Sequence, residues 1–209
     1  MHKTTLFFDW DGTLADSMSV CIGECRLALH RMGLPDLPDE VIRQCNGPTY
    51  AEACDILRVP EAQREAFMAA RQKAEMEILP QMQRLFDGVR EMLEALRGRA
   101  ELVIVSNGLS GYLEESIRLT GLGGMFTRVQ HLVPGKSKAE LLAALMDEMR
   151  PERAVMIGDR LGDIRAGQSS GLPTVAAAYG YGNDEEYAQA DVRCDTVRAL
   201  HDWLCAFCG

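Results

Sequence analysis

Four short stretches of the chain carry side chains that could act together on a charged ligand. In "LFFDWDGTLADS", Leu6 to Ser17, Asp9 and Asp11 stand two residues apart at the end of an apolar run. Like charges repel there and desolvation is costly, so the pair needs a compensating cation. A second run ends in Ser106, Asn107 and Gly108, and a third in Gly158, Asp159 and, four residues on, Asp163. The stretch "PGKSKAELL" adds Lys136 and Lys138. Carboxylate oxygens without His or Cys in the same motifs suit Mg²⁺ rather than zinc. Ammonium groups beside them can offset the carboxylates and neutralise phosphoryl oxygens. The parts are those of phosphoryl chemistry on a small phosphorylated metabolite.

Short apolar runs that read as buried parallel strands must position these residues: "TLFF" before Asp9, "ELVIV" before Ser106, "AVMI" before Gly158 and "PTVAAAYG" after Pro173. "RVQHLV", from Arg128, is a weaker fifth. Amphipathic helical stretches lie between them, at 88–98, 112–122 and 137–149. Strands alternating with helices predict an α/β fold, a Rossmann-like three-layer core around a parallel sheet. Residues 18–86 break the alternation, being helical throughout with no convincing strand. They read as an all-helical cap inserted after the first strand, on a core formed by 1–17 and 87–209. Ligands in open α/β sheets bind outside the carboxyl ends of the strands, where all four stretches fall.

The bulk properties are those of a soluble globular protein: 209 residues, 47% hydrophobic and 25% charged. A net charge of −9 and a pI near 5.0 argue against nucleic acid or an anionic membrane as partner. No apolar run approaches the ~20 residues of a membrane span, and "MHKTTLFFDWD" is too short an apolar stretch for a secretory signal, so a cytoplasmic location is expected. Seven cysteines then read as reduced thiols packed as small hydrophobes. His201, Cys205 and Cys208 share a helix face, where packing is favoured over a metal or redox role. Trp10, between the two aspartates, points to the opposite side by strand alternation and is expected in the core. The eleven methionines read mostly as core filler, and Arg43, Asn46 and Tyr50 around "CNGPTY" as either substrate-facing or solvated. Oligomeric state is not legible.

"DWDGTLADS", "SNG", the lysine of "GKSKAE" and "GDRLGD", in that order and each after a strand or opening a helix, resemble the four motifs of the haloacid dehalogenase (HAD) superfamily. The helical insertion is similar to the cap of its phosphoglycolate phosphatase-like branch. The resemblance implies a Mg²⁺-dependent phosphatase acting on a small phosphomonoester. Asp9 would be the nucleophile, giving an aspartyl-phosphate, and Asp11 the general acid and then base. Asp9, the Asp11 carbonyl and Asp159 would hold Mg²⁺, with Asp163 supporting them. Ser106, Asn107 and Gly108 would bind the phosphoryl group, and Thr13 is expected beside them, shaping the turn with Gly12. Lys138 is favoured over Lys136 as the phosphoryl-binding lysine, because it begins its helix directly. A sugar phosphomutase is the alternative, and a binding protein without turnover a more distant one, since both Asp9 and Asp11 are present. Phosphoglycolate is the branch's substrate; nucleoside monophosphates, pyrophosphate and sugar phosphates are alternatives.

Overall fold

The computed structural model describes residues 4–209; the first three residues of the expected core lie outside them. Six parallel strands form one sheet: β1 (Thr4–Phe8), β2 (Glu101–Val105), β3 (Arg128–Gln130), β4 (Arg153–Gly158), β5 (Thr174–Ala177) and β6 (Val192–Cys194). Their spatial order is β3-β2-β1-β4-β5-β6, so the chain leaves β1 to one side first and to the other later. Phe8 sits opposite Ile104 on one neighbour and Ile157 on the other, which brings the carboxyl ends of three strands level. A crevice opens at such a switch point, and residues that follow β1, β2 and β4 line it.

Alternation along β1 sorts its side chains between two apolar layers. Leu6 and Phe8 pack with α5 (Val89–Leu96), α6 (Ser110–Leu119) and α10 (Val197–Cys208), through Met92, Leu93, Leu113, Leu200 and Leu204. Phe7 turns to the other face, against Leu141, Leu142 and Leu145 of α7 (Lys138–Met149) and Ala166 of α8 (Leu161–Ser169). Each such side chain, fully buried, contributes about 1.5–3 kcal/mol of transfer free energy, so the strand that presents Asp9 is held firmly from both sides. Trp10 is fully buried, its indole N–H donating to Ser116 Oγ at 2.8 Å and its ring set edge-on to Phe126.

Between β1 and α5 the chain forms α1 (Met18–Arg31), α2 (Asp39–Ile42), α3 (Tyr50–Ile56) and α4 (Arg64–Met82), with short 3₁₀ turns at Arg43–Cys45 and Glu61–Gln63. They enclose their own apolar cluster, in which Cys21, Cys25, Cys45 and Cys54 pack with Leu29, Ile42 and Phe67. Two departures from the sequence reading stand out. Residues 83–86 are extended rather than helical: Leu85 bridges Ala15, and backbone bonds join Asp16 to Arg84 and Phe86 to Leu14. The outgoing and returning chain thus pair as a two-stranded neck. The sixth strand, Val192–Cys194, has three residues with an exposed arginine in the middle, too few to show a period of two. Among the methionines, Met76 and Met82 are exposed rather than core. Among the described residues no helix is long and apolar enough to cross a membrane.

Candidate active site

Asp9 leaves β1 with its amide still in the ladder, donating to the Ile157 carbonyl at 2.8 Å, so its position is fixed by the sheet. Lys138, the first residue of α7, reaches across and places Nζ 2.9 Å from Asp9 Oδ1 and 2.5 Å from Asp163 Oδ1. A capping box of Ser137 and Glu140 starts α7 and thereby sets where that lysine emerges. Lys136, two residues earlier, is exposed on the loop. Asp163 is anchored at its other oxygen by the Arg160 amide at 3.0 Å, and Asp159 Oδ2 accepts from the Tyr181 amide at 2.8 Å.

One oxygen each of Asp9, Asp159 and Asp163 lie within 4.8 Å of one another, all three residues being buried. Three carboxylates face a single ammonium. Burial first, then Asp163, pushes the Asp9 carboxyl up to about 7, with Lys138 pulling it back. Burial, with Asp9 and Asp163 beside it, holds Asp159 well above the usual carboxylate range. Burial works against the charge of Lys138, yet Asp163 and Asp9 keep it protonated beyond the ordinary lysine range. An all-oxygen cluster with surplus negative charge fits a hard divalent cation such as Mg²⁺.

Asp11 points elsewhere. The Tyr112 hydroxyl, from α6, donates to its Oδ1, and the carboxyl lines the cavity into which Asp9 and Lys138 also open. Burial raises its pKa, against hydrogen bonds from Ser17 and Tyr112, which favours a proton on this acid. Ser106 is buried after β2, its Oγ accepting the Gly108 amide at 3.0 Å, and Ser106, Asn107 and Gly108 line the same cavity as Asp9, Asp11 and Lys138. Thr13 does not: it is fully buried, and its hydroxyl is directed at Asp159 Oδ1, 3.4 Å away. Its side chain supports a carboxylate rather than touching a ligand. Gly12 is required in the same turn, with φ +81° and a hypothetical Cβ 2.2 Å from Asp159 Oδ2.

The helical segment closes the cavity from above. Asn107 Nδ2 donates to the Gly47 carbonyl at 3.0 Å, and Arg160 Nη1 to the Asn46 carbonyl at 2.7 Å. The cavity left between is small, about 50 Å³. Asn46 and Tyr50 line it, whereas Arg43 is exposed to solvent. Sequence reading missed Tyr112, Arg160, Tyr181 and the buried Glu24, Arg71 and Glu75 on the far wall. Only the "YGYG" after β5 offered a signal: Gly180 packs so closely on Asp159 that a Cβ would lie 2.4 Å from that residue's own. All seven cysteines are free thiols, and the His201, Cys205 and Cys208 face forms no metal-compatible cluster among the described residues. A second cluster, Cys21, Glu24 and Cys25, lies in the helical segment.

An acid pair after the first strand, a buried lysine opening a helix and two further acids after the fourth strand recur in one known family. The model of the haloacid dehalogenase-like hydrolases matches residues 6–177, and the chain belongs to that family. A phosphoglycolate phosphatase of Xanthomonas campestris pv. campestris is 31% identical over 200 residues, 90% of each chain. An N-acetylmuramic acid 6-phosphate phosphatase of Pseudomonas putida is 29% identical over 228 residues, spanning both chains fully. The tyrosine-protein kinase PtkA of Mycobacterium tuberculosis is 29% identical over 205 residues, 95% of this chain and 70% of that one. Among solved structures, a haloacid dehalogenase-like hydrolase from Streptococcus pneumoniae superposes with a TM-score of 0.88 at 21% identity, covering 98% of both chains, which shows a common fold.

Proposed function

We propose that the protein is a Mg²⁺-dependent phosphatase that hydrolyses a small phosphomonoester through an aspartyl-phosphate on Asp9, with residues 18–86 as the cap over its active site. The observation that carries this reading is the division of the two aspartates. Asp9 lies against Lys138 and the metal-compatible acids, while Asp11 takes the Tyr112 hydroxyl instead. Asp9 attacks phosphorus; the bond to the alcohol oxygen breaks, and Asp11 delivers its proton to that oxygen. Asp11 then takes a proton from water, whose oxygen attacks the same phosphorus and releases Asp9 and inorganic phosphate. Ser106, Asn107 and Gly108 orient the phosphoryl oxygens, and Lys138 offsets their charge. Asp9, Asp159 and the Asp11 carbonyl, supported by Asp163, would hold Mg²⁺, which when bound supplies charge neutralisation at the phosphoryl group.

Phosphate release from a set of phosphomonoesters, with Mg²⁺ and with a chelator, tests the proposal. Wild type is expected to be active only with Mg²⁺, and Asp9→Asn to lose about a thousandfold or more in kcat, the scale of removing a nucleophile. Full activity in the variant would remove Asp9 from this role. The likeness to PtkA makes transfer from ATP to a tyrosine the second reading; label moving from γ-phosphate to a tyrosine peptide in place of free phosphate would favour it.

A further inference from the structure

The wall of the cavity that faces Asp9 from the cap is charged, though nothing in the fold requires charge there. Glu24 comes from α1, Arg71 and Glu75 from α4 and Tyr50 from the start of α3, and all four line the cavity that contains Asp9, Asp11 and Lys138. Glu24, Arg71 and Glu75 are each 5% exposed or less. Arg71 spends two of its nitrogens on one oxygen, Nε at 2.8 Å and Nη2 at 2.5 Å from Glu24 Oε1. Its guanidinium lies over the Tyr50 ring, 4.5 Å from the centroid, and the Tyr50 hydroxyl donates to Glu75 Oε2 at 2.5 Å. The third nitrogen, Nη1, is buried without an acceptor, and Glu24 Oε2 is buried without a nitrogen or hydroxyl donor.

A buried ion pair is no cheaper for folding than an apolar pair of the same volume, and an unpaired buried donor costs more still. Here the unsatisfied atoms belong to residues on a cavity wall, where a bound molecule can complete them. The chemistry of that molecule follows from the donor set and the charge. Nη1 demands an acceptor oxygen, which an ammonium group lacks. The carboxyl of Glu75 stands beside that of Glu24, and burial raises the pKa of both. Arg71 already has Glu24 as its counter-ion, and Glu75 and Asp11 line the same cavity, so a carboxylate on the ligand would stand among acids at a wall whose cation is already paired. A hydroxyl accepts from Nη1 and donates to a carboxylate at no net charge.

We propose that Arg71, Glu24, Glu75 and Tyr50 form a recognition site for a hydroxyl group on the alcohol part of the substrate. The substrate class is therefore a hydroxylated phosphomonoester, a polyol or sugar phosphate, rather than one whose alcohol bears a carboxylate or an ammonium. This rests on the phosphatase reading of the Asp9 site. The test measures kcat/KM for glycerol 3-phosphate and a hexose phosphate, for phosphoglycolate, for phosphoethanolamine and for p-nitrophenyl phosphate, which has no hydroxyl to recognise. Wild type should prefer a hydroxylated ester over phosphoglycolate and phosphoethanolamine by about tenfold or more. The paired variant Glu24→Leu with Arg71→Met removes the ion pair without orphaning either charge. It should collapse that preference through KM, while Arg71→Lys keeps part of it. Preference for phosphoglycolate or phosphoethanolamine with hydrolysis intact would overturn the recognition site alone. So would an unchanged preference in a paired variant whose melting curve shows it folded. Absence of phosphate release from every ester would overturn both readings.

Discussion

Two carboxylic acids two residues apart are given different tasks by what each touches. Asp9 has Lys138 at 2.9 Å and its own neighbour's amide, from Trp10, at 2.8 Å on the same oxygen, donors that favour the ionised, attacking form against the burial and neighbouring acids that lift its carboxyl to about 7. Asp11 has the Tyr112 hydroxyl and a buried setting that raises its pKa, an environment that keeps a proton available. What separates acid from nucleophile is therefore the partner each touches, an ammonium for Asp9 and a phenol hydroxyl for Asp11. A consequence is that Asp11 is needed less in the first step when the leaving group is already a good one. With p-nitrophenyl phosphate, Asp11→Asn should release a rapid burst of nitrophenol equal to the enzyme concentration. A steady rate lowered by about 10²–10⁴, the usual contribution of general acid–base catalysis, should follow. With an alkyl phosphate the burst should vanish. Absence of a burst with p-nitrophenyl phosphate in stopped-flow measurements would show that Asp11 does not serve the second step.

At the scale of elements, what was legible in the sequence was whatever is local. The strands before Asp9, Ser106 and Gly158 announce themselves as apolar runs because both faces are covered, and Lys138 stands out because it opens a helical stretch directly. Trp10 in the core follows from alternation alone. The three-residue edge strand is too short to show a period, and the Ala15–Leu85 neck and the Tyr112 partner of Asp11 depend on residues about 70 and about 100 positions apart, which no local pattern encodes. The same holds for Glu24, Arg71 and Glu75, whose polar types on α1 and α4 look like a solvated helix face. Their burial leaves a measurable mark. Burial lifts Glu75 to about 7 from its ordinary 4.5, against the Tyr50 hydroxyl, Glu24 and Arg71, with Asp11 adding its repulsion. The folded cap then keeps a proton that the unfolded chain releases, so stability is greatest below about pH 4.5 and falls as pH rises towards 7. The loss amounts to about 2–3 kcal/mol for a shift of this size. Urea unfolding of wild type and Glu75→Gln between about pH 5 and about pH 8 should show the variant gaining relative stability across that interval. A constant difference would place the proton on another group.

The whole molecule joins a rigid sheet edge to a helical cap through one paired neck and a few polar contacts, Asn107 to Gly47 and Arg160 to Asn46 among them. That arrangement leaves the core carrying the electrostatic burden of the site by itself. Asp9, Asp159 and Asp163 are buried together against a single lysine. Folding therefore holds together a charge cluster that a divalent cation would relieve, and ligand binding of this kind stabilises by mass action. Mg²⁺ at about a hundred times its Kd should add about 2.7 kcal/mol. In a protein of this length that raises Tm by roughly 5–10 °C over the chelated protein. Asp159→Asn removes one charge from the cluster while keeping its shape. It should melt higher than chelated wild type, because a repulsive group is gone, and should lose most of the Mg²⁺-induced rise. Scanning calorimetry of both proteins with Mg²⁺ and with chelator separates these terms. A variant that is destabilised without Mg²⁺ would mean that Asp159 is held by hydrogen bonds from Tyr181 and Thr13 more strongly than it is repelled by Asp9 and Asp163.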